Sequence, residues 1–177
     1  KLRGTSPEDT AIDLVIEDGT RVGTVYFLMD EANVARQTGL PWMAFGSDAE
    51  AQAPEGVFLL SSTHPRAYGN VSRLLGKYVR AENKATLPDA IRRLTSFPAT
   101  NLGITDRGLL KAGNYADVVV FDPATIIDHA TYEKPQQLST GVDHVYVNGV
   151  QVLNDGKPTG KAAGRFVKGP GAGKCAS

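Results

Sequence analysis

Hydrophobic positions change their spacing along this chain, and each change marks an element. Ala11, Ile12, Leu14, Val15 and Ile16 fall on one side of a 3.6-residue repeat, the pattern of an amphipathic helix. Ser6-Pro7-Glu8-Asp9 supplies its start: a capping hydroxyl, a proline where no intrahelical N–H is needed, and two acids at the positive end of the dipole. Asp18-Gly19 ends it. Residues 22–29 are almost continuously apolar and predict a buried strand. Residues 30–37 predict a short helix capped by Asp30, broken by Gly39-Leu40-Pro41. A second apolar run, Trp42-Met43-Ala44-Phe45, predicts another strand, with Trp42 in a core. Helix, strand, helix, strand with short connections is the grammar of a parallel α/β fold.

Residues 49–69 are rich in Gly, Pro, Ser and Ala and predict a long loop. A loop of that length beside a strand end is usually functional or disordered. Helical spacing returns with Val71, Leu74, Leu75, Tyr78 and Val79 on one face. Thr86-Leu87-Pro88-Asp89 opens another helix with Thr86 as cap and Ala90, Ile91 and Leu94 inward. Phe97-Pro98-Ala99 is read as its end, with a further turn near Ile104. From about residue 105 the pattern becomes strands and turns. A short strand and turn are expected over 108–113 and a β-branched strand over 116–122. Residues 142–147 alternate, Asn148-Gly149 offers a type I′ turn, and 150–153 return. Residues 156–160 read as loop and 169–173 as tail.

Composition narrows the classes without choosing among them. The 177 residues carry 19 basic and 19 acidic side chains and no long basic run, which argues against nucleic acid as a partner. No apolar stretch approaches the ~20 residues of a membrane helix. No secretory leader is visible, so a cytoplasmic location and no membrane partner are expected. The single cysteine, Cys175, excludes an internal disulfide and reads as an inert thiol near the chain end. The chain opens Lys1-Leu2-Arg3 without an initiator methionine, and helix signals begin at once. It is therefore expected to be the carboxyl-terminal piece of a longer protein.

The candidate chemistry begins where the second apolar run stops, at Gly46-Ser47-Asp48. An acid at the carboxyl end of a buried strand is where a (β/α) barrel enzyme places catalytic groups. The competing reading is that Asp48 merely caps the next turn. His64-Pro65-Arg66 follows in the long loop. The planar fork of Arg66 suits a carboxylate bidentately, or else forms a surface ion pair. His64 contacts substrate or shapes the loop, and Tyr68 packs. His129, His144 and the acids Asp117 and Asp122 are read as structural. The three histidines lack metal-ligand spacing, so no metal site is expected in this chain.

These residues resemble a known family. Gly108-Leu109-Leu110-Lys111-Ala112-Gly113-Asn114-Tyr115-Ala116-Asp117-Val118-Val119-Val120-Phe121-Asp122 looks like the start of the small β domain of metal-dependent amidohydrolases. Val145-Tyr146-Val147-Asn148-Gly149-Val150-Gln151-Val152 looks like its closing hairpin. Gly46-Ser47-Asp48, His64-Pro65-Arg66-Ala67-Tyr68-Gly69 and Arg73-Leu74-Leu75-Gly76 resemble the N-acyl-D-amino-acid deacylase (D-aminoacylase) branch. The resemblance implies an α/β fold: the carboxyl-terminal portion of a TIM-like (β/α)8 barrel, then part of a small β-sandwich accessory domain. Residues 1–104 would be the last barrel strands and helices, with 49–69 as an active-site loop. Residues 105–168 would be the β domain and 169–177 a flexible tail.

The resemblance also implies a zinc enzyme that hydrolyses the amide bond of a small-molecule N-acyl-D-amino acid. Asp48 would be the catalytic general acid/base, with Arg66 and His64 binding substrate. The zinc ligands would lie on the missing amino-terminal part of the same enzyme, which becomes the expected partner. This chain by itself is then expected to be inactive. Two alternatives stay open: another amidohydrolase of the dihydroorotase, hydantoinase or deaminase kind, or a non-catalytic fragment. The His-Pro-Arg-Ala-Tyr-Gly run speaks against the first.

Overall fold

Ser6 starts helix α1 (Pro7–Asp18) in the computed structural model, which describes residues 2–24 and 26–172. Its hydroxyl oxygen accepts from the Asp9 N–H at 3.0 Å. Gly19 closes the helix in the left-handed region at φ +70°, where only glycine sits without a Cβ penalty. The chain divides into two units, one ending at Glu31 and one starting at Ala32. In the first, no residue of α1 is buried, so the face predicted to point inward has no core over it. The apolar run that follows forms no strand among its described residues; Val25 lies outside them. Tyr26, Phe27, Leu28 and Met29 are exposed. A strand satisfies its backbone only against a neighbour, and the described residues of this run enter no β-ladder.

The second unit packs helices α2 (Glu31–Thr38), α3 (Arg66–Arg73), α4 (Leu87–Leu94) and α5 (Ser96–Asn101). α3 continues directly into a π-helical stretch, Leu74–Ala81. Thr86 caps α4 as expected, its hydroxyl accepting from Asp89 N–H at 3.3 Å. One core cluster joins Leu75, Val79, Ala90 and Ile126, and a second joins Ala35, Leu74 and Tyr78. Leu94 packs against both. Val71, predicted to share the inward face, is 47% exposed. The change from α to wider π turns after Arg73 rotates later side chains away from its row. Phe97-Pro98 opens α5 instead of ending α4, with Pro98 in the first turn, where its missing N–H is tolerated.

The predicted strand at 42–45 is also absent, and Trp42 is exposed, not core. The cause is the same lack of a pairing edge. The loop 49–69 is shorter than expected: a 3-10 turn occupies Gly56–Leu59, and α3 begins at Arg66. In the later half, β1 (Val118–Phe121), β2 (Val142–Val147), β3 (Val150–Asn154) and β4 (Lys157–Pro158) form an antiparallel meander in chain order. Asn148-Gly149 turns β2 into β3 with φ of +50° and +79°, as a type I′ turn requires. Asp155-Gly156 repeats that geometry at +46° and +72°, so the loop expected at 156–160 contains a second hairpin. Residues 108–113 make turns and no strand. Among the described residues no helix is long and apolar enough to cross a membrane.

Asp122 and Asp117 do the turn chemistry expected of them. Asp122 accepts from the Ala124 N–H at 2.8 Å and the Thr125 hydroxyl at 2.9 Å. Those bonds, the backbone one first, hold its pKa below the usual carboxylate value. Asp117 accepts from the Asn148 N–H at 2.8 Å and pairs with Arg107. His129 bonds the Thr140 hydroxyl at 2.9 Å, and His144 lies 3.8 Å from Asp155 on the sheet.

Candidate active site

Asp48 ends a segment without regular structure, so something other than a β-ladder must fix it. α4 does this from one side. Arg93 donates through Nε to the Met43 carbonyl at 2.6 Å and through Nη1 to the Thr38 carbonyl at 2.7 Å. Its guanidinium also lies over the Phe45 ring at 4.2 Å. Arg92 donates to the Pro41 carbonyl at 2.7 Å. Asp89 holds both arginines, at 2.9 Å and 3.3 Å. Burial would raise its pKa, but the bonds and charge from Arg92 and Arg93 prevail and lower it. α3 works from the other side. Asn70 Nδ2 donates to the Gly46 carbonyl at 3.1 Å, two residues before Asp48.

The first residue of α3 then reaches Asp48 itself. Arg66 Nη2 donates to Asp48 Oδ2 at 2.6 Å. Asp48 sits in the left-handed region at φ +47°, which aspartate tolerates better than most residues. The side chains are 40% and 89% exposed, and exposed pairs of this kind contribute only ~0–1 kcal/mol. Such a pair exchanges readily for another carboxylate. Arg66 Nε is enclosed and has no acceptor. Asp48 therefore occupies one N–H of the fork, while a bidentate carboxylate would engage two.

His64 closes the turn before α3. Its Nδ1 accepts from the Arg66 backbone N–H at 3.1 Å. A backbone N–H can only donate, so Nδ1 carries no proton and the ring is neutral with hydrogen on Nε2. Nε2 then donates to the Tyr132 hydroxyl at 3.1 Å, with the rings edge-to-face at 5.2 Å. Burial first, and then the charges of Arg66 and Arg73, hold the His64 pKa below its ordinary value, in keeping with a neutral ring. Tyr68, expected to pack, has an enclosed hydroxyl with no partner.

The segment between β1 and β2 completes the neighbourhood. Arg73 pairs with Asp128 at 3.3 Å. Gly69 lies so close to it that a Cβ there would stand 2.6 Å from Asp128 Oδ2. Ser139 donates to the Tyr68 carbonyl at 3.0 Å. Gln136 Nε2 donates to the Phe58 and Ser61 carbonyls at 2.8 Å each.

The fold thus brings Asp48, His64 and Arg66 together, the three residues singled out from sequence. Sequence reasoning missed Asn70, Arg92, Arg93 and Tyr132. Asp89-x-x-Arg92-Arg93 carried a helical i,i+3/i+4 charge signal. Tyr132, 68 positions from His64, carried none. Among the described residues no three His, Cys, Asp or Glu side chains converge as a metal site. The described residues do not fit a zinc centre.

A profile of the amidohydrolase family matches residues 30–153. D-aminoacylase from Alcaligenes xylosoxydans xylosoxydans is 38% identical over 165 residues, covering 93% of this chain and 32% of that protein. A solved D-aminoacylase, studied for the role of its binuclear metal centre, superposes with a TM-score of 0.79 at 38% identity, over 92% of this chain and 32% of the other. An N-acyl-D-glutamate deacylase from Bordetella bronchiseptica was solved with zinc and a phosphonate mimic of the reaction's tetrahedral intermediate. It gives a TM-score of 0.66 at 37% identity, over 83% of this chain and 32% of its own. The chain thus spans 32% of the length of each of these relatives.

Proposed function

The chain belongs to the amidohydrolase family, and from that premise we propose that it supplies two working groups of an N-acyl-D-amino-acid deacylase. Asp48 is the proton carrier and Arg66 the holder of the substrate's carboxylate, with His64 shaping the Arg66 turn. The observation that carries this reading is the 2.6 Å pair between Arg66 and Asp48 at the start of α3. It puts a carboxylate-binding fork beside a carboxylate, which is what an amino acid with a blocked amine demands.

The chemistry follows from those two side chains. Hydrolysis joins a water oxygen to the acyl carbon and breaks the C–N bond. The proton lost by water must reach the departing nitrogen. Asp48 can accept it at Oδ2 and return it to the amine. Substrate carboxylate displaces Asp48 from Arg66 and takes the fork bidentately, which frees Asp48 for that transfer. Displacement is cheap because the pair is exposed.

Zinc belongs to the proposal as a group held by residues beyond this chain, on the amino-terminal part of the complete enzyme. By itself this chain is accordingly inactive. The finer fold reading is part of the same proposal. Residues 1–104 close a TIM-like (β/α)8 barrel and 105–168 add strands to a β-sandwich domain. A cytoplasmic location completes it.

The test is Asp48→Ala in the complete enzyme. It is expected to keep the fold and lower kcat at least ~100-fold, the low end for a general acid-base group. Turnover near that of the parent would end the assignment. Arg66→Ala is expected to raise KM for the N-acyl amino acid with a smaller change in kcat.

A further inference from the structure

Tyr132 reaches the candidate site from a part of the chain that sequence order does not associate with it. It sits in the connection between β1 and β2, 68 residues beyond His64. That connection is seated firmly on α3 and the π-helical stretch. Arg80 donates to the Pro123 and Ile126 carbonyls at 3.0 and 2.7 Å, and Ile126 is part of a core cluster. Asp128 packs on Gly69 and pairs with Arg73. From this base the connection grips the loop before α3 at separate points. Gln136 takes two of the loop's carbonyls, and Tyr132 takes His64.

We infer that Tyr132 is a positioning residue for Arg66, acting through the His64 ring; the inference rests on the Arg66 assignment proposed above. The chain of contacts has a fixed direction. The Arg66 backbone N–H needs an unprotonated Nδ1 on His64. Nε2 must then carry the hydrogen, and the Tyr132 hydroxyl accepts it. Without that acceptor neither tautomer nor ring angle is set, and the Nδ1 bond to the first residue of α3 is lost for part of the time. The same backbone carries the guanidinium that pairs with Asp48. Tyr132 is exposed, so removing its hydroxyl disturbs no core. Its ring-on-ring contact with His64 survives in phenylalanine, which separates hydrogen bonding from packing.

The experiment compares Tyr132→Phe and Tyr132→Ala with the parent in the complete enzyme. The readouts are KM and kcat for an N-acyl-D-amino acid, and the 15N shifts of the His64 ring, assigned with His64→Asn. Tyr132→Phe is expected to raise KM roughly three- to tenfold, the scale of one lost hydrogen bond. It should leave kcat within about twofold. The His64 nitrogens should move from a pure Nε2–H pattern toward an average of the two tautomers. A parental KM in Tyr132→Phe overturns the inference. If Tyr132→Ala alone raises KM, the hydrogen-bond relay is overturned and only ring packing remains. Arg66→Ala separates the two levels of reading. If it too leaves KM unchanged, the Arg66 assignment has failed. If it raises KM while Tyr132→Phe does not, only the role of Tyr132 has failed.

Discussion

Replacing Arg93 tests whether α4 holds the segment that carries Asp48. The Arg93 side chain is 0% exposed, yet it is charged. It is kept there by the Met43 and Thr38 carbonyls, Asp89 and the face of Phe45. Arg93→Met preserves most of the volume and removes every polar contact. Each hydrogen bond from a charged donor contributes ~1.5–3 kcal/mol, and a desolvated cation–π contact ~2 kcal/mol. The change also relieves a cost, because a buried charge disappears along with Nη2, which is enclosed without a partner. The net follows the pattern of a buried ionic contact broken from one side, a loss of ~3–5 kcal/mol. At a urea slope of ~1–3 kcal/mol per molar, the unfolding midpoint falls by ~1–5 M. Arg93→Lys should fall between, because a point charge cannot serve two carbonyls and a ring as a planar fork does. In the complete enzyme kcat should also drop by ~10- to 100-fold, since Asp48 lies three positions past Phe45 and small displacements of a catalytic group are costly. A stability loss below ~1 kcal/mol in Arg93→Met would refute the reasoning. It would mean that the desolvation of Arg93 cancels all its bonds.

Gly69→Ala opposes two effects of different sign. In a helix interior alanine is favoured over glycine by up to ~1 kcal/mol, but here its Cβ would stand 2.6 Å from Asp128 Oδ2 and 2.8 Å from Asp128 Cβ. Overpacking of ~1–3 kcal/mol should win, so thermal unfolding is expected earlier; a later transition would count against the packing described for α3. His64 gives the pH dependence. Its folded pKa lies below the ordinary 6.5, so the unfolded chain takes up the proton first. The contribution of neutral His64 is therefore complete above ~6.5, declines as pH falls, and is gone once pH passes below the folded pKa. His64→Gln should flatten stability against pH in that acid window. An unchanged slope would show that His64 is not held neutral.

Local signals in the sequence were sufficient wherever an element satisfies itself. Ser6 and Thr86 cap their helices because a hydroxyl three residues upstream is all that an orphan N–H requires. The Asn148-Gly149 turn follows from two residues that accept positive φ. Asp155-Gly156 carries the same local signal, with φ of +46° and +72°. Asp48, His64 and Arg66 could be singled out as candidates because residue type and placement after an apolar run limit what such groups can do. Strands at 22–29 and 42–45 could not be settled this way. Apolar content states that a segment wants a partner, and only tertiary structure says whether one stands beside it. Neither run enters a β-ladder among the described residues, and the backbone carrying Asp48 is held instead by arginines about fifty positions later. Tyr132 shows the same limit over 68 positions. A hydrogen bond between distant residues leaves no spacing in the chain, because its geometry exists only once α3 and the β1–β2 connection have packed. The sequence alone therefore determined the caps, the turns and the chemistry available. Tertiary structure decided which groups meet, since that depends on long-range packing and not on local backbone preference.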